Sequence, residues 1–135
     1  MYTSEVIYQG ELRCKATHLQ SETVIFSDAP LDNQGKGECF SPTDLVATAL
    51  GNCMLTIMGI EARKLKVNID GTQILIKKHM GTMPRRIVKI DVNMKIPGQE
   101  LNENQKASLI NAGINCPVAK SLHPDLVQEI SVNYY

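Results

Sequence analysis

The strongest hydrophobic signal in the chain runs from Leu45 to Ile60. No charged residue interrupts it, and apolar side chains fall on nearly every face of a helix. Its start is marked: Ser41 suits an N-cap, Pro42 the first helical position, and Asp44 follows the cap by three residues. Phe40 and Leu45 are spaced as a hydrophobic staple. The pattern predicts a helix from Ser41 to about Lys64, and a helix apolar all round is expected to be buried on all sides. Upstream, residues 2–8, 11–18 and 22–28 read as short strands, the first two turning at Gln9-Gly10. Residues 29–39, rich in Asp, Asn, Gly and Lys, predict a loop with no order of its own. Loops of that length in a compact domain are often functional.

Downstream, residues 72–80 and 85–96 read as a hairpin joined at Gly81-Thr82-Met83-Pro84, with apolar alternation from Ile90 to Ile96. Asn102, with Gln105 three residues on, predicts a capped helix ending near Gly113. Pro117 predicts a short helix starting at Cys116-Pro117. The chain closes on a strand from Gln128 to Tyr134 that puts Ile130, Val132 and Tyr134 on one face. Strands clustered rather than alternating with helices predict an α+β fold. The 135 residues suit one domain spanning 1–135.

Helix length adds an expectation about assembly. A helix over 41–64 is roughly 36 Å long, about the diameter of a globule of this size. An apolar helix that long is hard for one such chain to cover, so a second copy is expected to help.

Composition narrows the function classes. Fourteen basic and 14 acidic residues give a formal net charge of zero, without long runs of one sign. That balance offers no electrostatic footprint for nucleic acid or an anionic membrane. Tryptophan is absent and aromatics are few, which disfavours base-stacking platforms. The N-terminal residues lack the basic and apolar regions of a secretory signal, and the uncharged run is short for a membrane span. A cytoplasmic protein is expected, in which four cysteines are thiols rather than structural bridges.

Those cysteines are the candidate chemistry. No Cys-x-x-Cys occurs, and His18, His79 and His123 are scattered, so neither a thioredoxin motif nor a metal site is indicated. Cys53 lies mid-helix, where it can be a small core hydrophobe or a nucleophile supported by a nearby cation. Cys116 precedes Pro117 at a helix start, a position that favours thiolate, so spacing alone makes it the more reactive of the two. Cys14 and Cys39 read as structural or incidental. Arg13, on a predicted strand, can be a solvated edge residue or a cation aimed at a thiol.

Two segments carry a family resemblance. Residues 41–53, Ser-Pro-Thr-Asp-Leu-Val-Ala-Thr-Ala-Leu-Gly-Asn-Cys, resemble the central-helix motif of the OsmC/Ohr proteins. Residues 115–122, Asn-Cys-Pro-Val-Ala-Lys-Ser-Leu, resemble their second cysteine motif. The resemblance implies an α+β fold with antiparallel sheets packed around two long central helices in an intertwined homodimer. It implies thiol-dependent reduction of organic hydroperoxides, with Cys53 peroxidatic, Cys116 resolving and Arg13 holding the thiolate. The expected partners are a peroxide and a dithiol reductant, and no cofactor or metal is implied. One position departs from the pattern. The family's glutamate ten residues before the first cysteine is replaced by Thr43, which makes Glu38 the expected partner of Arg13. The alternative is a dimer of the same fold with little or no catalysis, acting as a binding protein for a small or lipid-like molecule. Acyl transfer by Cys116 with His123 as base ranks below both, because about two helical turns would separate them.

Overall fold

The computed structural model describes residues 1–135. The chain falls into two compact units, Met1–Val46 and Ala47–Tyr135.

The first unit is built on a three-stranded antiparallel sheet in the order β1 (Ser4–Gly10), β2 (Arg13–His18), β3 (Val24–Asp28). The first turn lies two residues beyond the predicted Gln9-Gly10. A bulge between Tyr8 and Gly10 shifts the register, and the turn is made by Glu11 and Leu12, both left-handed at φ 55° and 60°. Side chains rarely adopt that backbone, which stores strain beside Arg13. The unit buries almost nothing apolar. Its two buried residues are polar, Asp28 and Ser41, while Val6, Ile7, Tyr8, Ile25 and Phe26 are exposed.

The loop after β3 is more ordered than its composition predicted. A single 3₁₀ turn spans Leu31–Asn33, and hydrogen bonds Ala29 N–H to Leu12 O (3.0 Å), Gly35 N–H to Pro30 O (2.9 Å) and Gly37 N–H to Ala29 O (3.2 Å) fold the loop onto the first turn. Gly35 makes this possible, since a Cβ there would sit 1.7 Å from Ala29 O.

Helix α1 (Pro42–Leu65) begins in the first unit and continues into the second. Its start is a reciprocal capping box: Asp44 N–H donates to Ser41 Oγ (3.1 Å) and Ser41 N–H to Asp44 Oδ2 (2.9 Å). Within the single chain only part of α1 is covered. One stripe of α1 is buried, Ala47, Leu50, Gly51, Met54, Met58 and Ala62, whereas Val46 and Ile60 are exposed. At 24 residues the helix is also longer than the uncharged run, and by length and composition alone it could cross a membrane. Its buried stripe instead belongs to the core of the second unit.

That unit holds a sheet in the order β4 (Gln73–Gly81), β5 (Arg86–Ile96), β6 (Val127–Tyr134). β4 and β5 form the predicted hairpin, but β5 and β6 pair in parallel, so this sheet is mixed. Parallel neighbours need a crossover. Here it is α2 (Glu103–Ile114) followed by α3 (Pro117–Ser121). The Asn102–Gln105 capping box opens α2 as expected. Alternation along β5 sends Ile90, Val92, Met94 and Ile96 into the core with Leu50, Met54, Met58 and Leu109, all without solvent exposure. Gly51 lets α1 lie close on β4, where an added Cβ would meet Ile76 Cδ1 at 3.2 Å.

Candidate functional site

Cys53 and Cys116, 63 residues apart in sequence, are neighbours in the second unit, close enough for Cys53 to perturb the Cys116 thiol. Two local patterns bring them there. Cys53 follows the buried stripe of α1 and packs, half-buried, against the core. Cys116 is the N-cap of α3, with Pro117 next, and its Sγ accepts the Ala119 N–H at 3.4 Å. Cys116 N–H donates to Gly113 O (3.2 Å), and Gln128 on β6 donates to Ala119 O (3.0 Å), which ties α3 to the sheet.

The two thiols are not equivalent. Cys116 has no solvent exposure. Burial pushes its thiol pKa up, against the Ala119 N–H, which pulls it down, and the Cys53 sulfur pushes the same way as burial. The expectation that Cys116 is the more reactive thiol is therefore corrected: desolvation outweighs the start of a five-residue helix. Cys53 keeps part of its surface in solvent. The pair thus joins a partly exposed cysteine to a sealed one whose neutral thiol is favoured.

Arg13 and Glu38 meet in the first unit, but a residue absent from the predicted site dominates their geometry. Asp28 grips Arg13 side-on, accepting from Nε at 2.7 Å and from Nη2 at 2.8 Å. Glu38 accepts from Nη2 at 3.2 Å, and its carboxylate is largely exposed. Asp28 is 1 % exposed and also accepts the Glu38 backbone N–H at 3.1 Å. The Arg13 hydrogen bonds hold its carboxyl at about 2, against an ordinary 3.8, and the nearby Cys39 side chain pushes it weakly the same way. The same two carboxylates push the Arg13 pKa up. Glu38 thus reaches Arg13, as an outer contact behind Asp28. A sequence signal for Asp28 existed in the strand register: Arg13 and Asp28 are paired positions on β2 and β3.

Neither position near the missing glutamate serves Arg13. Thr43 Oγ1 lies 3.2 Å from Ser41 Oγ, and Asp44 is engaged in the helix cap. Cys14 lies half-buried on β2, and Cys39 half-buried between Glu38 and Phe40. The histidines stay apart. His18 contacts Ser21 at 2.6 Å, and His79 contacts Asp91 at 2.8 Å on the outer face of the second sheet. His123 accepts from the Asp125 N–H at 3.0 Å, beyond the end of α3 and largely exposed, away from any base role toward buried Cys116.

The paired thiols on this two-sheet α+β frame belong to a known class. The OsmC family model, described as OsmC-like protein, matches residues 35–131, and the chain belongs to that family. It is similar to a crystal structure from Psychrobacter arcticus 273-4, of a protein assigned to the osmotic-stress-induced and detoxification response. The two share 49% identity and a TM-score of 0.94, over 98% of this chain and 96% of that one. Two more distant structures share the fold. An organic hydroperoxide resistance protein OsmC from Legionella pneumophila has 16% identity and a TM-score of 0.77, covering 98% of both chains. An organic hydroperoxide resistance protein from Elizabethkingia anophelis has 15% identity and a TM-score of 0.78, covering 100% of this chain and 98% of that one. No curated protein matches.

Proposed function

We propose that this protein reduces organic hydroperoxides with the Cys53–Cys116 pair, using a dithiol as the source of electrons. The observation that carries the reading is the pair itself: one partly exposed and one sealed cysteine, near enough for the first to perturb the second. The hydroperoxide resistance proteins of the same fold support the choice of substrate.

In the first step the Cys53 thiolate attacks the distal peroxide oxygen. The O–O bond breaks, an alkoxide leaves and takes a proton to become the alcohol, and Cys53 becomes a sulfenic acid. In the second step the Cys116 sulfur attacks the Cys53 sulfur and water leaves, giving the disulfide. A dithiol then exchanges with that bond and is itself oxidised to a disulfide. The exposure difference sets the order, since the peroxide needs to reach only Cys53. Burial that keeps Cys116 neutral suits a thiol that waits for the sulfenic acid. Arg13 is assigned to the same reaction on chemical grounds: a fixed cation stabilises a thiolate and the charge developing on the peroxide.

A dithiol-driven cycle suits a reducing compartment, and the cytoplasm is the proposed location. A second copy of the chain is the proposed cover for the exposed apolar side chains Val46 and Ile60 of α1 and Val6, Ile7, Tyr8, Ile25 and Phe26 of the first sheet. A catalytically weak binding protein is the alternative, and the juxtaposed thiols argue against it.

The test is chemical trapping. One equivalent of cumene hydroperoxide should convert the reduced protein to an intramolecular Cys53–Cys116 disulfide, seen by mass spectrometry after digestion. The Cys116→Ser variant should stop at a Cys53 sulfenic acid that dimedone traps. Peroxide that leaves both thiols unmodified while other cysteines oxidise would defeat the proposal.

A further inference from the structure

A polar side chain is the most deeply buried feature of the first unit, and it carries a charge. Asp28 is 1 % exposed in a unit that buries no apolar side chain. Burying a charge is costly unless it is paired and hydrogen-bonded. Here the donors are Arg13 Nε, Arg13 Nη2 and the Glu38 N–H. Both oxygens of the carboxylate are engaged, Oδ1 once and Oδ2 twice.

The consequence for Arg13 is specific. A side-on grip through Nε and Nη2 fixes the plane of the guanidinium, as bidentate pairs do. Asp28 and Glu38 occupy Nε and Nη2 and leave the Nη1 amino group without a protein acceptor. The backbone enforces the same setting from three sides. Arg13 and Asp28 are register partners. The Asp28 N–H donates to Phe40 O at 3.1 Å, closing the chain on either side of Cys39. The strained Glu11-Leu12 turn comes directly before Arg13 and is tied to the loop by the Ala29–Leu12 hydrogen bond.

We propose that Asp28 is the positioning residue that presets Arg13, leaving Nη1 as the donor edge offered to an anion. Glu38 trims the setting from outside and does not determine it. This inference rests on the peroxidase reading only for the identity of the anion, a thiolate or peroxide oxygen. The setting of Arg13 itself is independent of that reading.

The experiment has two arms, both on the full chain. The first follows the Arg13 Nε–H resonance by ¹⁵N NMR in the reduced protein without peroxide. A distinct, exchange-protected signal is expected in wild type, retained in Glu38→Gln, lost in Asp28→Asn and recovered in part in Asp28→Glu. Loss in Glu38→Gln with retention in Asp28→Asn would overturn the proposal. The second arm measures the rate of Cys53 oxidation by cumene hydroperoxide. Asp28→Asn should slow it on the order of tenfold or more, as misplacement of a preset group does. Glu38→Gln should cost about twofold, as exposed ion pairs do. In an Arg13→Ala background Asp28→Asn should cost nothing further. An equal loss in both backgrounds would show that Asp28 acts on the fold alone, and that overturns the positioning role. If wild type fails to react with peroxide, the peroxidase reading falls, while the resonance arm still decides the setting of Arg13.

Discussion

Asp28 shows how one buried charge responds to acid. Its folded-state pKa of about 2 lies below the ordinary 3.8, so folding favours the ionised form. The stabilisation is complete above the unfolded value and is lost as pH falls through the folded one. The difference in unfolding free energy between wild type and Asp28→Asn should therefore shrink between about pH 4 and about pH 2. Urea titrations at several pH values would check it, and a constant difference would contradict the assignment. This residue was hard to read in the sequence because its importance lies in pairing register. The strands 11–18 and 22–28 were legible, but the opposition of Arg13 and Asp28 depends on which residues turn between them. Glu38 is legible because the resemblance calls for a carboxylate beside Arg13 that Thr43 cannot supply, and its contact is the longer one, at 3.2 Å. Cys116 was misread for a different reason. Its cap position is visible in the sequence, whereas the burial that raises its pKa is a tertiary property.

At the scale of elements, the helix starts were the most legible features. Ser41 with Asp44 and Asn102 with Gln105 both form the reciprocal caps their spacing predicts. Ser41→Ala should cost about 1 kcal/mol of stability through the lost cap, measured by denaturant unfolding. The packing of α1 was legible only in part. An uncharged stretch does not say which of its faces one chain covers, and the structure buries a single stripe. Within that stripe Met58 is fully buried and lies against Gly113 of α2, where an added Cβ would be 3.0 Å from its Sδ. Met58→Ala should destabilise by about 2–5 kcal/mol, in the range for emptying a tight core site. The parallel pairing of β5 and β6 could not be read from alternation, which is the same in parallel and antiparallel strands. Only the crossover length through α2 and α3 hinted at it.

For the whole molecule, the two redox states should differ in stability. A Cys53–Cys116 disulfide closes a loop of 63 residues in the unfolded chain. Loop-closure entropy sets an upper stabilisation of about 4 kcal/mol, less any strain in the folded disulfide. Calorimetry of peroxide-oxidised and dithiol-reduced protein should show the oxidised form melting higher. In solution the chain should run at twice its own mass by light scattering. A monomer at micromolar concentration would contradict the assignment of its exposed apolar side chains to a second copy. The redox claim is tested most directly by following the consumption of cumene hydroperoxide and hydrogen peroxide with excess dithiol, in wild type and in Cys53→Ser. The account predicts turnover that prefers the organic peroxide and disappears with the Cys53 thiol. Consumption no faster than the Cys53→Ser control, with several dithiols, would contradict it.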